Sequence, residues 1–318
     1  MPQFDITLAG EANLDMIFYG LPLELPVEQE LLASGLCIML GGSSANTAHN
    51  LARLGSSVGF ISQAGDDAFH ALCLRELQDA GVDVSRVVPP QANVGTGITV
   101  FLQHEAVRRA FTYPGSISKL RFSDLDLEYL ASSRHFHLAA LFLQDSLRPD
   151  APKLLAAMQK AGLSTSLDTN DDPSDEWNEK ILETLKYVDI FLPNEKEVCR
   201  IAREDDVERA AQKLAAKIPT VVVKRGDLGA FAVHHGKRYD AAPISISPVD
   251  AVGAGDSFNA GFLHAWTHGA ELEQCLQTGN LCGAFSTTAQ GGTRAFLDAE
   301  KREEFFAAHG KKSVMQIG

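Results

Sequence analysis

The sequence predicts an α/β protein built on a mainly parallel sheet that is covered by helices. Short apolar segments, typical of buried strands, alternate along the chain with stretches long enough to form helices. Glycine follows two of the helical stretches, at Gly55 and Gly81, where helices commonly end. The chain has 318 residues, 45% hydrophobic and 22% charged, which suits one large domain of ordinary soluble composition. We therefore expect a single domain over residues 1–318.

The strands and helices of this sheet are expected in alternation. The first strand is Ile6–Ala9, and the later strands are Val58–Ser62, His135–Leu141, Leu163–Asp168, Asp189–Leu192 and Thr220–Lys224. The helices are Ala45–Leu54, Phe69–Ala80, Ala151–Ala161, Val207–Lys217, Ser257–His268 and Leu272–Thr288. A further β-like segment is expected at Ile244–Ser247.

Two β-rich segments interrupt the alternation, at about residues 13–39 and 96–113. The second has the pattern of a hairpin, with Ile98–Leu102, a polar turn near His104–Glu105, and Arg109–Tyr113. We expect the two segments to form a small sheet that covers a site as a lid. The alternative is an edge hairpin of the main sheet.

Charge and cysteine content argue against several classes of function. The formal net charge of -13 would repel phosphates, so no nucleic-acid partner is expected. The five cysteines contain no CxxC pair, which favours reduced thiols, and the ten histidines contain no HExxH motif of zinc hydrolases. The first residues do not resemble a signal peptide, and no apolar run approaches the roughly 18–20 residues of a membrane span. We therefore expect a cytoplasmic protein with no membrane partner.

The most informative stretch is the glycine-rich turn Asp250–Ser257, which reads DAVGAGDS. Gly253 and Gly255 let the backbone approach a ligand, and the helix that follows offers free N–H groups and its positive dipole end, which together predict a phosphate site. A carboxylate repels phosphate, so the position of Asp256 beside a phosphate site calls for a functional explanation. Accepting a proton from an attacking hydroxyl group is one, and it makes Asp256 a candidate base. The alternative is that Asp256 only caps the helix.

The sequence resembles the ribokinase, or PfkB, family of carbohydrate kinases in motifs that are spread over nearly the whole chain. The motifs are Gly10–Asp15, Gly41–Asn46, Asn194–Glu197, Lys224–Gly226 and Asp250–Asp256. In that order, they are similar to the first-strand motif, the amino-terminal signature, the NxxE motif, the nucleotide-site segment and the carboxy-terminal signature of the family. The resemblance implies an ATP-dependent carbohydrate kinase. Its implied fold is a ribokinase-like three-layer α/β/α sandwich with a mainly parallel central sheet and a small β-sheet lid.

The resemblance also implies roles for individual residues. Asp256 would be the catalytic base, beside an anion hole formed by Gly253, Ala254 and Gly255. The sugar would be bound by Asn13, Asp15, Gly41, Gly42 and Asn46, and the nucleotide by Asn194, Lys224, Gly226 and Asn280. Glu197 would place Mg²⁺ through water, and K⁺ would be held by Asp250 and the backbone of Val252, Ser286, Ala289 and Gly291. ATP, Mg²⁺ and K⁺ are thus the implied cofactors, and the lid of many relatives implies a homodimer.

These residues also have purely structural interpretations. Gly41 and Gly42 could form a tight strand-to-helix turn, with Asn46 an ordinary surface residue, and Asp15 could be a turn residue. Asn194 and Glu197 could be a helix cap with an acid in the first turn. Lys224 and Arg225 could simply solvate the end of a strand.

The substrate is expected to be a small neutral sugar, either a pentose or a ketohexose. Relatives that phosphorylate keto-deoxy sugar acids often carry a DxNxR-like segment, whereas residues 168–173 read DTNDDP here, with acids at Asp171 and Asp172. A sugar acid remains an alternative if Arg108 or Arg109 reaches the site, although adjacent strand residues point to opposite faces. A nucleoside stacked on the aromatic residues Phe101, Phe111 and Tyr113 is another alternative. A non-catalytic sugar- or nucleotide-binding protein on the same fold is the last.

Overall fold

The computed structural model describes residues 2–104, 107–177 and 180–310. Its strands are β1 (Phe4–Ala9), β2 (Asn13–Tyr19), β3 (Gly35–Gly41), β4 (Val58–Ile61), β5 (Ile98–His104), β6 (Val107–Tyr113), β7 (Ser133–Leu138), β8 (Ser164–Leu167), β9 (Ile190–Phe191), β10 (Thr220–Lys224), β11 (Ala230–His234) and β12 (Lys237–Ala241). Its helices are α1 (Ser43–Arg53), α2 (Ala68–Ala80), α3 (Leu127–Leu130), α4 (Ala151–Lys160), α5 (Lys180–Leu185), α6 (Glu195–Ala202), α7 (Val207–Ala215), α8 (Ala254–Thr267), α9 (Leu272–Ser286) and α10 (Ala299–His309). Short 3₁₀ turns lie at Gly115–Ser118, Phe122–Asp124, Leu141–Leu143, Arg148–Asp150, Gly226–Leu228 and Arg294–Leu297.

The large sheet has eight strands in the order β12-β11-β10-β9-β8-β7-β1-β4. The strands from β10 to β4 run parallel, and β11 and β12 continue the sheet in antiparallel fashion. Parallel strands are buried on both faces, which explains their nearly continuous apolar runs. In β1, for example, Ile6 and Leu8 belong to one core and Phe4 and Ala9 to the other.

Helices cover both faces of the large sheet. Leu51 of α1 and Phe262 of α8 pack with the strands on one face, and Leu154 of α4 and Leu214 of α7 pack on the other. This arrangement confirms the predicted three-layer α/β/α sandwich with a mainly parallel central sheet. Within the described ranges, no helix has the length and apolarity that crossing a membrane requires.

The small sheet is made of β2, β3, β5 and β6, in the order β3-β2-β5-β6. Its described strands pair only with one another, so the alternative of an edge hairpin of the main sheet is wrong. The predicted turn near His104–Glu105 lies partly outside the described residues, because only His104 is included. On one face of this sheet Ile17, Cys37 and Met39 pack against Val252, so the sheet is anchored on the glycine-rich turn.

Some boundaries and elements differ from the sequence prediction. Ile244–Ser247 is not a strand, because Pro243 and Pro248 flank it and a proline has no N–H group to donate to a neighbouring strand. The strand expected to end at Leu141 ends at Leu138, and Ala140 adopts a left-handed conformation with φ 50°. The antiparallel pair β11–β12 was not anticipated, and α6 was anticipated only through the alternative interpretation of Asn194 and Glu197 as a helix cap.

Candidate active site

A cleft of about 1350 Å³ lies between the carboxyl ends of the parallel strands and the small sheet. Open α/β sheets commonly bind ligands at this edge. Most of the predicted site residues line the cleft: Asn13, Asp15, Gly42, Asn46, Asn194, Glu197, Lys224, Gly226, Val252, Gly253, Ala254, Gly255, Asp256 and Asn280. Outside its lining lie Gly41, Asp250, Ser286, Ala289 and Gly291.

Asp256 is buried in the first turn of α8, as the third residue of that helix. Its Oδ2 accepts a hydrogen bond from Asn46 Nδ2 at 3.0 Å. The N-cap of α8 is Gly253, with φ 71°, and no side chain caps the helix, so the interpretation of Asp256 as a cap is wrong. Burial raises the pKa of the Asp256 carboxyl above its ordinary range, against the opposing hydrogen bond from Asn46.

The start of α8 offers free backbone donors to the cleft. The N–H groups of Gly255 and Asp256 have no acceptor within the described residues, as expected where a helix start lacks a side-chain cap. Ala254 differs, because its N–H donates to the carbonyl of Ala251 at 3.3 Å. A β-carbon on Gly253 would lie 2.4 Å from the α-carbon of Gly292, so only glycine fits this turn. The turn thus presents two ready donors to an anion.

Asp15 and Asn13 lie side by side on β2, at the floor of the cleft. Asn13 Nδ2 donates to Asp15 Oδ1 at 3.1 Å, and both residues are buried. A β-carbon on Gly41 would lie 2.1 Å from that same oxygen, so Gly41 makes room for the carboxylate without lining the cleft. Burial raises the pKa of Asp15 well above its ordinary value, and the nearby charge of Asp256 raises it further. The interpretation of Asp15 as a turn residue is wrong, because it lies within β2.

Glu11 is a site residue that the sequence analysis missed. It follows β1, and its carboxylate accepts hydrogen bonds from the N–H of Ser44 at 3.0 Å and from the Ser44 hydroxyl at 2.7 Å. It therefore stabilises the start of α1, whose own N-cap is Gly42 with φ 93° and no side chain. Burial raises the pKa of Glu11 to about 7. An acid beside the first-strand glycine was the available signal, but its partner lies 33 positions away in the sequence.

Asn46 joins the two predicted signatures of the chain. Its Nδ2 donates to Asp256, whereas its Oδ1 is buried and has no hydrogen-bond partner among the residues that the structure describes. A buried amide oxygen without a partner is costly, so it is expected to accept a hydrogen bond from a ligand. Because Asn46 is buried in α1, its interpretation as an ordinary surface residue is wrong.

Asn194 and Glu197 form a reciprocal cap at the start of α6. Glu197 N–H donates to Asn194 Oδ1 at 2.9 Å, and the Asn194 backbone N–H donates to Glu197 Oε2 at 2.9 Å. Asn194 Nδ2 occupies the second carboxylate oxygen at 2.6 Å. The helix-cap interpretation is therefore confirmed. Burial and the charge of Asp168 raise the pKa of Glu197 to about 7. Because both oxygens already accept hydrogen bonds, the carboxylate suits a metal ion held through water better than direct ligation.

The other predicted nucleotide residues lie along the same wall of the cleft. Lys224 ends β10, and its ammonium group donates to Asp168 and Asn259, so it does not merely solvate the strand end. Gly226, with φ 56°, begins the turn that follows. Asn280 of α9 donates to the carbonyls of residues 241 and 242 at 3.1 and 2.9 Å and so ties the end of β12 to that helix.

The residues implied for K⁺ lie beside the glycine-rich turn, next to the cleft. Asp250 Oδ1 accepts from the N–H of Val252, and its Oδ2 accepts from the N–H of Gly291, both at 3.0 Å. Tyr19 of the small sheet also donates to Oδ2, at 3.1 Å. Ser286 and Ala289 are linked to each other, with the Ala289 N–H donating to the Ser286 carbonyl at 3.4 Å. No group of three acidic, histidine or cysteine side chains in the described residues is arranged to hold a metal ion, so backbone carbonyls would have to supply most of the ligands.

The small sheet turns alternate side chains of β6 towards the cleft. Arg108 lines the cleft, whereas Arg109 lies on the opposite face beside Leu21 and Val107. The expectation that these adjacent arginines point to opposite faces is therefore confirmed. No carboxylate of the described residues lies within 4.0 Å of the Arg108 guanidinium.

The acidic run after β8 is engaged in local contacts. Asp171 pairs with Lys196 at 2.7 Å, which offsets its charge. The carboxylate of Asp172 accepts the N–H groups of Ser174 and Trp177 at 3.0 and 2.8 Å. The cation that offsets Asp171 comes from a separate segment of the chain, since Lys196 lies in α6.

Comparison with known proteins agrees with this geometry. Residues 4–299 match the model of the pfkB family carbohydrate kinases. The chain is 31% identical to a fructokinase from Klebsiella pneumoniae, over 80% of this chain and 88% of the relative. It is 28% identical to a 2-dehydro-3-deoxygluconokinase from Bacillus subtilis, over 86% of this chain and 89% of the relative.

A solved structure supports the fold. A ribokinase II candidate from E. coli, determined with ATP and Mg²⁺, superposes with a TM-score of 0.84 at 23% identity and covers 96% of this chain and 99% of its own. The prediction of an ATP-dependent carbohydrate kinase is confirmed by the family match and by the kinases among the relatives. Because the family match spans nearly all of the sequence, the chain belongs to the pfkB family of carbohydrate kinases.

Proposed function

We propose that the protein transfers the γ-phosphoryl group of ATP to a hydroxyl group of a small neutral sugar, a pentose or a ketohexose. The observation that carries the proposal is the position of Asp256, a buried carboxylate in the cleft beside the free N–H groups of Gly255 and its own backbone. A carboxylate by itself would hinder the binding of an anion. It can, however, accept the proton that the sugar hydroxyl loses as it attacks the phosphoryl group.

The backbone donors and the base divide the chemistry between them. The N–H groups at the start of α8 stabilise the charge that spreads over the transferred phosphoryl group. Asp256 takes the proton, and Asn46 holds its carboxylate in position. Because the groups are fixed before substrate binds, the enzyme spends little free energy on reorganising them.

The sugar is placed against β2 and the start of α1. Asp15 and Asn46 Oδ1 are acceptors for sugar hydroxyl groups, since a carboxylate accepts hydrogen bonds and the Asn46 oxygen has no other partner. Asn13, Gly41 and Gly42 shape this pocket. Glu11, Asp15 and Asp256 give the floor of the pocket a negative character, which favours hydroxyl donors over an anionic substituent.

The nucleotide and its ions occupy the other half of the cleft in this proposal. Asn194, Lys224, Gly226 and Asn280 line the nucleotide side. Glu197 would hold Mg²⁺ through water, and the bound ion would supply positive charge against the phosphates of the nucleotide. Asp250, with the backbone of Val252, Ser286, Ala289 and Gly291, is the proposed K⁺ site.

The small sheet acts as a lid within a single domain, covering the sugar with segments 13–39 and 96–113. Closing it would exclude water and so limit hydrolysis of ATP. Its outer face exposes Leu36, Ile38, Phe111 and Tyr113, the last two by 56% and 55%. We propose that a second copy covers this apolar face in a homodimer. The free thiols of all five cysteines and the net charge of -13 support a cytoplasmic enzyme without a nucleic-acid partner.

A sugar acid is the second candidate substrate, because Arg108 faces the cleft without an ion pair to any described residue and the acids of the Asp171–Asp172 run are already engaged. The nucleoside alternative is weaker. Of the three aromatic residues considered for stacking, Phe101 lines the cleft, whereas Phe111 and Tyr113 lie on the outer face and cannot stack on a base inside it.

A coupled assay of ADP production tests the proposal. Ribose, fructose, a 2-keto-3-deoxy sugar acid and adenosine are compared by kcat/KM at fixed salt and Mg²⁺. The neutral sugars are expected to give the highest kcat/KM. A clear preference for the acid would instead favour the second candidate and assign Arg108 to its carboxylate.

A further inference from the structure

A hydrogen bond joins the small sheet to the start of the glycine-rich turn. The hydroxyl group of Tyr19, the last residue of β2, donates to Oδ2 of Asp250 at 3.1 Å. Tyr19 is partly buried, Asp250 is buried, and neither residue lines the cleft. The contact therefore lies outside the space that a ligand in the cleft would occupy.

Asp250 holds together the segments on which the turn rests. Its Oδ1 accepts the N–H of Val252 at 3.0 Å, and its Oδ2 accepts the N–H of Gly291 at 3.0 Å beside the Tyr19 hydroxyl group. The backbone N–H of Asp250 donates to the Thr287 carbonyl at 3.3 Å. Donors from the turn, from the segment after α9 and from the small sheet thus converge on one buried carboxylate.

Apolar packing holds the small sheet against the same segments. Met39 of β3 belongs to a buried cluster with Val252, and the ring of Tyr19 packs at the edge of this cluster. A β-carbon on Gly291 would overlap with Met39 Sδ, so only glycine leaves room for the methionine. The Tyr19 ring is therefore placed by packing, and its hydroxyl group adds one directed contact to Asp250.

The strand β2 gives Tyr19 a fixed support. It is paired on both sides, with β3 and with β5. Asp15 and Tyr19 lie on the same face of β2, because residues separated by an even number of positions share a face of a strand. At roughly 3.3 Å per residue, their Cα atoms lie about 13 Å apart. One strand therefore lies along the proposed sugar pocket and also reaches the glycine-rich turn.

The turn connects Asp250 directly to the donors at the start of α8. Gly253, the N-cap of α8, is packed against Gly292 so closely that a β-carbon on it would overlap with the Gly292 backbone. The N–H groups of Gly255 and Asp256, which have no acceptor within the described residues, follow at once. Such donors stabilise a developing charge only when their directions are fixed in advance. A loosened Asp250 carboxylate would therefore let these donors move.

We propose that Tyr19 is a positioning residue for phosphoryl transfer, and that its hydroxyl group acts through Asp250 to fix the turn that carries the backbone donors. The inference rests on the proposed function and deepens it, because it assigns part of the support of the anion site to the small sheet. A contact with a purely structural role would contribute to the free energy of unfolding, but its loss would leave kcat of the folded protein unchanged.

Steady-state kinetics of Tyr19→Phe test this role, with whichever of ribose, fructose, a 2-keto-3-deoxy sugar acid and adenosine gives the highest kcat/KM. The variant keeps the ring and loses only the hydroxyl group. At fixed Mg²⁺ and K⁺, kcat is expected to fall by about 10-fold, the range of a lost hydrogen bond to a charged group. The KM of that substrate is expected to change less than about threefold, because Tyr19 does not line the cleft. Tyr187→Phe is the matched control, since Tyr187 is 37% exposed, precedes β9 and lies outside the cleft lining, and its kcat should match the wild type.

A double-mutant comparison tests whether Tyr19 acts through Asp250. In an Asp250→Asn background, Tyr19→Phe is expected to lower kcat by about threefold or less, because a neutral amide accepts a hydrogen bond about half as strongly as a carboxylate does. Equal effects of Tyr19→Phe in the wild-type and Asp250→Asn backgrounds would overturn the proposal. A wild-type kcat in Tyr19→Phe would overturn it as well.

Amide-resolved hydrogen exchange gives a readout that does not depend on turnover. The N–H groups of Val252 and Gly291 both donate to the Asp250 carboxylate, so they are expected to exchange about 10-fold faster in Tyr19→Phe and at the wild-type rate in Tyr187→Phe. Wild-type exchange of both N–H groups in Tyr19→Phe would overturn the proposal. If the wild-type protein phosphorylates none of the four compounds, the proposed function fails, yet the exchange contrast still decides whether Tyr19 fixes the turn.

Discussion

The two walls of the cleft differ in how far their polar groups are already satisfied. On the large-sheet wall, Asp256, Glu197 and Asp168 are buried, and each carboxylate accepts hydrogen bonds from neighbouring side chains. On the small-sheet wall, Arg108 is exposed and has no ion pair within the described residues. Groups that are fixed in advance suit transition-state stabilisation, whereas exposed groups without partners are free to adapt to the substrate. The comparison therefore assigns the chemistry to the large sheet and the selectivity to the small one.

Among the substitutions on either wall, replacement of the proposed base Asp256 on the large-sheet wall should lower kcat the most. Asp256→Asn is expected to keep the fold and nucleotide binding but to lower kcat by at least about 10²-fold, since the hydroxyl proton loses its acceptor. Steady-state kinetics with the preferred sugar measure this change. Asp240→Asn is the control, because Asp240 pairs with Arg238 on the surface and its turnover should match that of the wild type. Near-normal turnover in Asp256→Asn would remove the basis for assigning the chemistry to this wall.

Glu11, on the same wall, should make the free energy of unfolding depend on pH. The folded-state pKa of Glu11 is about 7 and its ordinary value is 4.5, so the folded protein binds more protons than the unfolded chain between these values. The free energy of unfolding should therefore fall as pH rises through this window, by up to about 3 kcal/mol for this one group at 1.36 kcal/mol per pKa unit. Glu11→Gln should flatten this part of the curve.

Denaturant unfolding of both proteins from pH 4 to pH 8 measures the difference. Glu183→Gln serves as the control, because Glu183 is an exposed residue that pairs with Lys186. If the free energies of unfolding of the wild type and of Glu11→Gln change in parallel between pH 4 and pH 8, the pKa of Glu11 is not raised in the folded protein.

Asp15 marks the boundary between the two walls, since it lies on β2 of the small sheet and faces the base. Asp15→Ala should weaken sugar binding by about 10-fold or more, as expected for a lost hydrogen bond to a charged group, and leave nucleotide affinity unchanged. Calorimetry with each ligand separates the two effects, and Asp66→Ala in an exposed loop is the control. Normal sugar affinity in Asp15→Ala would count against the assigned sugar pocket.

A substitution on the small-sheet wall should have the smallest effect on kcat/KM when the substrate is a neutral sugar. Arg108→Gln is expected to change kcat/KM for ribose or fructose by less than about fivefold, because an exposed side chain near an uncharged ligand contributes little. Arg109→Gln is the matched control on the opposite face, and it should leave kcat/KM unchanged. If Arg108→Gln, but not Arg109→Gln, lowers kcat/KM for a sugar acid by about 10²-fold, the acid is the substrate and Arg108 of the lid binds its carboxylate.

The sequence predicted those parts of the molecule that depend on local pattern. The parallel strands, the small sheet and the turn around Asp256 follow from apolar runs and from glycines whose conformation only glycine adopts readily. The predicted strand at Ile244–Ser247 is wrong. Its residues have the apolar pattern of a strand, but the prolines on either side prevent pairing with a neighbouring strand.

The missed site residues depend on contacts between distant segments. Glu11 caps α1 from 33 residues away, and Asp168 holds Lys224 from 56 residues away. An acid beside Gly10 is the one local signal of the first contact, and it does not identify the partner, because an acid after a strand is common. Strand geometry predicted that Arg108 and Arg109 point to opposite faces, but it did not predict which of them faces the cleft. The pairing of Lys196 with Asp171 depends on the packing of α6.

The pH dependence of single-turnover phosphoryl transfer shows whether Asp256 accepts the proton of the sugar hydroxyl. At saturating ATP and sugar, the wild-type rate should rise with pH as Asp256 ionises, with an apparent pKa above the ordinary aspartate range because the carboxyl is buried. Asn46→Ala removes the hydrogen bond that favours the charged form, so it should move this rise to higher pH. A rise that stays at the same pH in Asn46→Ala, or that persists in Asp256→Asn, would show that a group other than Asp256 accepts the proton.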